Sequence, residues 1–285
     1  MATESIEFSI DALLPAEMAQ RAEAIGVRKA ATPPMKVFVL AVLAGAFIAL
    51  GAIFATVAAT GAAGVLPYGV TRVLMGLVFS LGLILVVVGG AELFTGNNLI
   101  VMAWANRKVS TGSLLHNWTL VYLGNAVGSV GTALLLFLAR QYTLSGGAVG
   151  VTALGIANSK AGLSFVPAIF LGILCNALVC LAVWMSYSAR STVDKIAAII
   201  FPISAFVAAG FEHSVANMYF IPIGLLIKYF DPAFVAKTDL DLAHLTLQGF
   251  LLNNLLPVTI GNIIGGAGLV AAVYWFVFLR KTKSA

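Results

Sequence analysis

Two stretches of otherwise apolar sequence carry the residues able to do chemistry. They read Gly90-Ala91-Glu92-Leu93-Phe94-Thr95-Gly96-Asn97 and Gly210-Phe211-Glu212-His213-Ser214-Val215-Ala216-Asn217, and both fit Gly-x-Glu-x4-Asn. A carboxylate in apolar surroundings is costly unless paired, so Glu92 and Glu212 must have dedicated partners. The expected partners are N–H groups left free where a helix starts, with Asn97 and Asn217 supporting the same local structure. A role as ligands is disfavoured, because two carboxylates facing a ligand would select cations. Donors remain: Thr95, His213 and the helix starts near Gly96 and Ser214. A helix start carries positive partial charge, and a neutral histidine donates while a protonated one is a cation. With Lys160 in the glycine-rich segment 145–162 adding positive potential near an entrance, the set points to a small anion with a protonatable form.

The elements that hold these residues are membrane-spanning helices. The chain is 61% hydrophobic and 9% charged, with a mean hydropathy of +1.03, against about 25% charged residues in soluble domains. A spanning helix takes about 20 apolar residues, and six spans are expected near 36–60, 68–105, 112–140, 163–188, 194–227 and 248–280. Spans two and five contain the two polar stretches. Lipid offers no hydrogen bonds, so a helix broken there must line a cavity or lie buried in protein. His213 inside such a break is read as functional, whereas His116 and His244 near span ends are read as ordinary interhelical hydrogen bonds. Phe79, Leu83, Leu93, Phe94 and Phe206 flank the polar centre and can form greasy constrictions that strip water from an ion.

An internal repeat relates the halves. Glu92 and Asn97 recur 120 residues on as Glu212 and Asn217, while Asn117, Gly124, Asn125 and Gly128 recur 137 residues on as Asn254, Gly261, Asn262 and Gly265. The difference of 17 is an insertion, placed in the polar stretch 228–241. Three spans per half is an odd number, so the second half enters the membrane inverted. The Gly-x-x-x-Gly pairs are read as close helix contacts. Asn125 and Asn262 are read as partners of neighbouring helices or of backbone freed by a break.

Eleven of the sixteen lysines and arginines fall on the side of the N-terminus, leaving Arg72, Arg140, Lys160, Lys228 and Lys237 opposite. The positive-inside rule then places both termini in the cytoplasm. The formal charge of +5 is therefore mostly topological, and no concentrated basic face suggests nucleic acid. Residues 1–35 hold five of the eleven acidic residues, unlike a secretory signal. Pro15, Met18, Ala22 and Ile25 suggest a short amphipathic helix there, packed beneath the bundle. Residues 36–280 are expected to form one channel domain and 281–285 a cytoplasmic tail. Cys175 and Cys180 fit neither a redox pair nor a zinc pattern, so no metal or cofactor is expected.

The motifs resemble the formate/nitrite transporter family. Beyond Ala91–Thr95 and Gly210–Met218, the likeness extends through Ser80–Leu85, Leu178–Tyr187 and Pro257–Gly266, and spans about Phe8 to the end. Within the family these stretches look most like its formate channels, as does Ala209-Gly210-Phe211, where nitrite channels tend to carry Tyr. Gly96-Asn97-Asn98 departs from the Ser-Thr-Val of some formate channels. The resemblance implies an aquaporin-like protomer in a homopentamer of the bacterial inner membrane, one pore per subunit. It implies a pore centre at His213 and Thr95, with Lys160 and Asn176 attracting anions. It implies an outer constriction at Phe79, Leu83 and Phe206 and an inner one at Leu93, Phe94 and Val179. It further implies a mobile, pH-gating loop after the first break, coupled to the N-terminal helix, and a cytoplasmic formate-producing enzyme as partner.

The expected function is thus a formate channel, with or without proton coupling. A nitrite or hydrosulfide channel is the near alternative. An intramembrane hydrolase built on His213-Ser214 is disfavoured, because chain neighbours do not face each other as base and nucleophile. Water-channel Asn-Pro-Ala motifs and metalloenzyme HExxH motifs are absent from the sequence.

Overall fold

The computed structural model describes residues 12–280, so the 281–285 tail and the likeness around Phe8 lie outside the described residues. Among those described, regular structure is helical throughout. Helix α1 spans Pro15–Ala31, α2 Pro34–Ala59, α3 Tyr68–Gly89, α4 Phe94–Asn97, α5 Val101–Ala105, α6 Thr111–Leu138, α7 Ala148–Ala161, α8 Phe165–Ser188, α9 Thr192–Ala208 and α10 Ser214–Phe230. A last span runs over Gly249–Phe278, alternating π-helical stretches (Gly249–Leu255 and Ile264–Ala272) with α-helical ones. Five of these helices are long and apolar enough to cross a membrane, and the remaining crossing is split into the 17-residue helices α9 and α10.

The broken spans differ in their second halves. After the second break α10 is one regular helix, whereas after the first the chain passes through α4, a 3-10 turn at Asn98–Ile100, and α5. The segment expected as a loop is therefore helical and inward-facing, with Leu99, Ile100, Met102 and Ala103 buried. Helix α1 lies against it, burying Met18, Ala19 and Ala22 in the same cluster. Its Glu23 is also buried, held by Lys108 at 2.6 Å and by the Asn106 amide. Arg21 donates to the Tyr187 carbonyl at 2.8 Å. These three bonds fasten α1 to the bundle through two of its side chains, Glu23 and Arg21.

Helix α7 was not anticipated in the glycine-rich segment. Ala153, Ala157 and Ala161 recur every four residues and are buried, so small side chains on one face let α7 lie close on α10. Close approach also governs α6 and the last span. A Cβ at Gly128 would overlap the Val42 carbonyl of α2, and one at Gly265 the Ile173 carbonyl of α8. Overpacking of such a contact costs about 1–3 kcal/mol or more. Gly128→Val and Gly265→Val should therefore lower the thermal unfolding temperature in detergent, while Gly131→Val, which faces open space, should leave it unchanged.

Candidate functional site

Each break starts at a glycine with left-handed backbone, Gly90 (φ 73°) and Gly210 (φ 77°), a conformation that costs other L-residues about 1–2 kcal/mol. Three residues then lie outside any helix before α4 and α10 begin. One asparagine closes each gap. Asn125 accepts from the Phe94 N–H at 2.9 Å, and donates to the carbonyls of Ala41 (2.7 Å) and Glu92 (2.9 Å). Asn262 accepts from the Ser214 N–H and donates to the carbonyls of Gly172 and Glu212, each at 2.9 Å. The Glu92 and Glu212 N–H groups go to the carbonyls of Leu40 and Leu171. Backbone that lipid cannot solvate is thus satisfied within the protein.

The carboxylates do not cap the half-helices, contrary to expectation. Glu92 accepts from Lys29 Nζ and Asn97 Nδ2, both at 2.7 Å. Asn97 Nδ2 also reaches Asn117 Oδ1, and Asn117 Nδ2 donates to the Lys29 carbonyl. The second set repeats these four bonds and differs in two others: Lys29 Nζ also donates to Asn97 Oδ1, whereas Asn217 Oδ1 has no partner among the described residues, and Asn254 Nδ2 also reaches Glu212. Glu212 accepts from Lys160 Nζ and Asn217 Nδ2, both at 2.7 Å, Asn217 Nδ2 reaches Asn254 Oδ1, and Asn254 Nδ2 donates to the Lys160 carbonyl. The asparagine had already taken the helix-start N–H, leaving the carboxylate for a lysine that a neighbouring helix supplies. Lys29 comes from α1 and Lys160 from α7, so these two short helices occupy corresponding places.

Between the breaks, Thr95 Oγ1 and His213 Nε2 lie 3.0 Å apart. His213 Nδ1 accepts from the Ala216 N–H at 3.1 Å and so caps α10. An accepting Nδ1 carries no proton in the neutral ring, so the proton sits on Nε2 and points to Thr95. Leu93 holds the equivalent position before α4 and has no such atom. The Thr95 carbonyl accepts from Asn176 Nδ2 and Cys180 Sγ, each at 3.3 Å. Asn176 Nδ2 also donates to the Asn262 carbonyl at 2.6 Å. The Asn176 amide is therefore spent on backbone and positions Thr95, and it lines neither of the cavities below.

A cavity approaches this pair from each side. One, of about 480 Å³, is lined by Arg72, Phe79, Lys160, Phe206, Glu212 and His213 among others. The other, of about 620 Å³, is lined by Arg28, Lys29, Leu83, Glu92, Leu93 and Asn97 among others. Phe79 and Phe206 pack edge to face at 5.7 Å, and Phe206 stacks on the His213 ring at 6.0 Å. Leu83, grouped with them from the resemblance, instead lines the second cavity beside Leu93. Phe94 lines neither: its ring packs on Trp118 and Tyr122 in a separate apolar pocket on the flank. Val179 is buried and reaches neither cavity. Lys160 does line the first cavity, but its charge is balanced by Glu212.

Sequence reasoning gave no role to Lys29, Asn117, Asn254 or Arg72. Asn117 and Asn254 were visible in the repeat, and the 131-residue spacing of Lys29 and Lys160 would have paired the lysines had α7 been recognised. Among the described residues, no three His, Cys, Asp or Glu side chains gather to hold a metal ion.

Comparison with known proteins gives one family throughout. The pattern of the formate/nitrite transporter family matches residues 16–276. The chain is similar to the formate channel FocA of Escherichia coli strain K12, 48% identical over 275 residues, covering 95% of this chain and 96% of that one. It is 43% identical over 271 residues to FocA of Haemophilus influenzae, covering 94% and 95%. Among solved structures, a pentameric formate channel with formate bound aligns with a TM-score of 0.81 at 47% identity, covering 87% of this chain and 98% of that one.

The Lys160–Glu212 pair yields a double-mutant prediction. Lys160→Met strands a buried carboxylate, 7% exposed, and should cost about 3–5 kcal/mol. The double variant Lys160→Met/Glu212→Gln should recover much of that loss, read as thermal stability in detergent; additive losses would show that the two side chains are not coupled.

Proposed function

The chain belongs to the formate/nitrite transporter family, and we propose that it is a membrane channel for formate with His213 and Thr95 at the centre of its pore. The observation that carries this reading is the Thr95–His213 hydrogen bond lying between two cavities that approach it from opposite sides. An anion reaching that point meets the Nε2–H of a neutral imidazole, a donor able to turn from the Thr95 hydroxyl to the anion. Phe79 and Phe206 before it and Leu83 and Leu93 beyond it replace hydrating water with hydrocarbon. A single well-placed donor then favours a small carboxylate over ions that need a full hydration shell.

The geometry supports His213 as a hydrogen-bond donor that stays neutral. Adding a proton at Nδ1 would set two donors, Nδ1–H and the Ala216 N–H, against each other and release the cap of α10. The hydrolase alternative loses its base for the same reason. Both His213 nitrogens are engaged elsewhere, and Ser214 Oγ is buried without a partner among the described residues. The relatives named above are channels, and the function read here is transport. The assembly proposed is a homopentamer in the bacterial inner membrane with both termini cytoplasmic and the second half inverted relative to the first.

Formate flux into proteoliposomes tests the reading. His213→Phe should lower flux at pH 7 by about tenfold or more, the rate equivalent of one lost hydrogen bond to a charged group. His213→Asn, which keeps an N–H donor, should retain a large part of it. Undiminished flux through His213→Phe would remove the histidine from the pore mechanism, and loss of pH response in an otherwise active His213→Asn would favour a proton relay over a neutral donor.

A further inference from the structure

Arg72 stands on α3 and lines the 480 Å³ cavity that reaches His213. It is one of two cationic side chains there, and the two differ in what they have left to offer. Lys160 is neutralised by Glu212 at 2.7 Å. Arg72 takes part in none of the ion pairs formed among the described residues. The unbalanced positive charge of this cavity therefore resides on Arg72, not on the lysine that sequence reasoning selected.

Its donors are also arranged for a purpose. Nε donates to the Ala208 carbonyl at 3.2 Å and Nη2 donates to the Val207 carbonyl, both at the end of α9 just ahead of the second break. These bonds use two of the five N–H groups of a guanidinium, those along its Nε–Nη2 edge. They hold the plane still and leave the Nη1–Nη2 end free of protein acceptors among the described residues. Two parallel N–H groups of that kind match the two oxygens of a carboxylate, a fit that a lysine ammonium cannot reproduce. The helix carbonyls complement the cation without neutralising it.

We propose that Arg72 is an anion-binding residue of the channel's vestibule, taking a small monocarboxylate on the Nη1–Nη2 end of its guanidinium before the anion reaches His213. This rests on the formate reading above and deepens it. Arg72 gathers the anion and favours the flat carboxylate, His213 carries it across the constriction, and Lys160 holds the break.

The test is the concentration dependence of flux in proteoliposomes for the wild type, Arg72→Lys and Arg72→Gln, with sodium formate and with sodium hydrosulfide as probes. Arg72→Lys keeps a charge and can still bond a helix carbonyl, but loses the paired donors. It should raise the half-saturating formate concentration by about tenfold, with maximal flux within about twofold of wild type and the hydrosulfide curve unmoved. Arg72→Gln should raise it further. Unchanged half-saturation in both variants would overturn the proposal, and so would a fall in maximal flux alone, which is what a mere brace for α9 would give. Wild-type vesicles that carry no formate would overturn the channel reading along with it, an outcome distinct from variants that behave as the active wild type does.

Discussion

A helix that stops inside a membrane leaves N–H and carbonyl groups that lipid cannot take, and everything in this chain is arranged around that constraint. Asn125 and Asn262 answer it. Each amide joins three elements: the carbonyl end of the break, the N–H that restarts the helix, and a carbonyl of α2 or α8. Leaving even one such buried group unpaired costs about 1–3 kcal/mol. The asparagine also decides what the carboxylate does. Because the amide takes the N–H, Glu92 and Glu212 are free to hold Lys29 and Lys160, and through them α1 and α7.

The near symmetry of the two breaks makes their difference informative. With the same glycine turn, the same asparagine and the same lysine–glutamate pair, the first break places Leu93 where the second places His213. Leu93 gives α4 no cap from its own side chain, whereas His213 caps α10 and turns its remaining N–H toward Thr95. The scaffold is thus built twice and the chemistry once. Asn176 and Cys180 hold the Thr95 carbonyl from below, so the hydroxyl that meets the histidine sits on fixed backbone.

Much of this was legible in the sequence, for physical reasons. Six spans follow from apolar runs, and two breaks follow from polar residues that lipid would not tolerate unpaired. Partners were harder to read. Glu92 and Lys29 are 63 residues apart, and Glu212 and Lys160 are 52 apart, separations at which spacing says nothing about contact. Helix α7 hid in a glycine-rich segment because four of its six buried residues are alanine or glycine, which give little hydropathy contrast. Phe94 was placed at an inner constriction by the family resemblance, and nothing in its spacing distinguishes a pore-facing ring from one packed on Trp118 and Tyr122. Arg72 looked topological until the structure showed that the lysine beside it was already paired.

The central claim is that His213 meets the anion as a neutral ring with its proton on Nε2. Solid-state ¹⁵N spectra of the ring-labelled protein in lipid, with His213 identified by its loss in His213→Asn, test this directly. The account predicts one protonated and one unprotonated ring nitrogen for His213 at neutral pH, with formate shifting the protonated one. Two protonated nitrogens, or a His213 signal indifferent to formate, would contradict it.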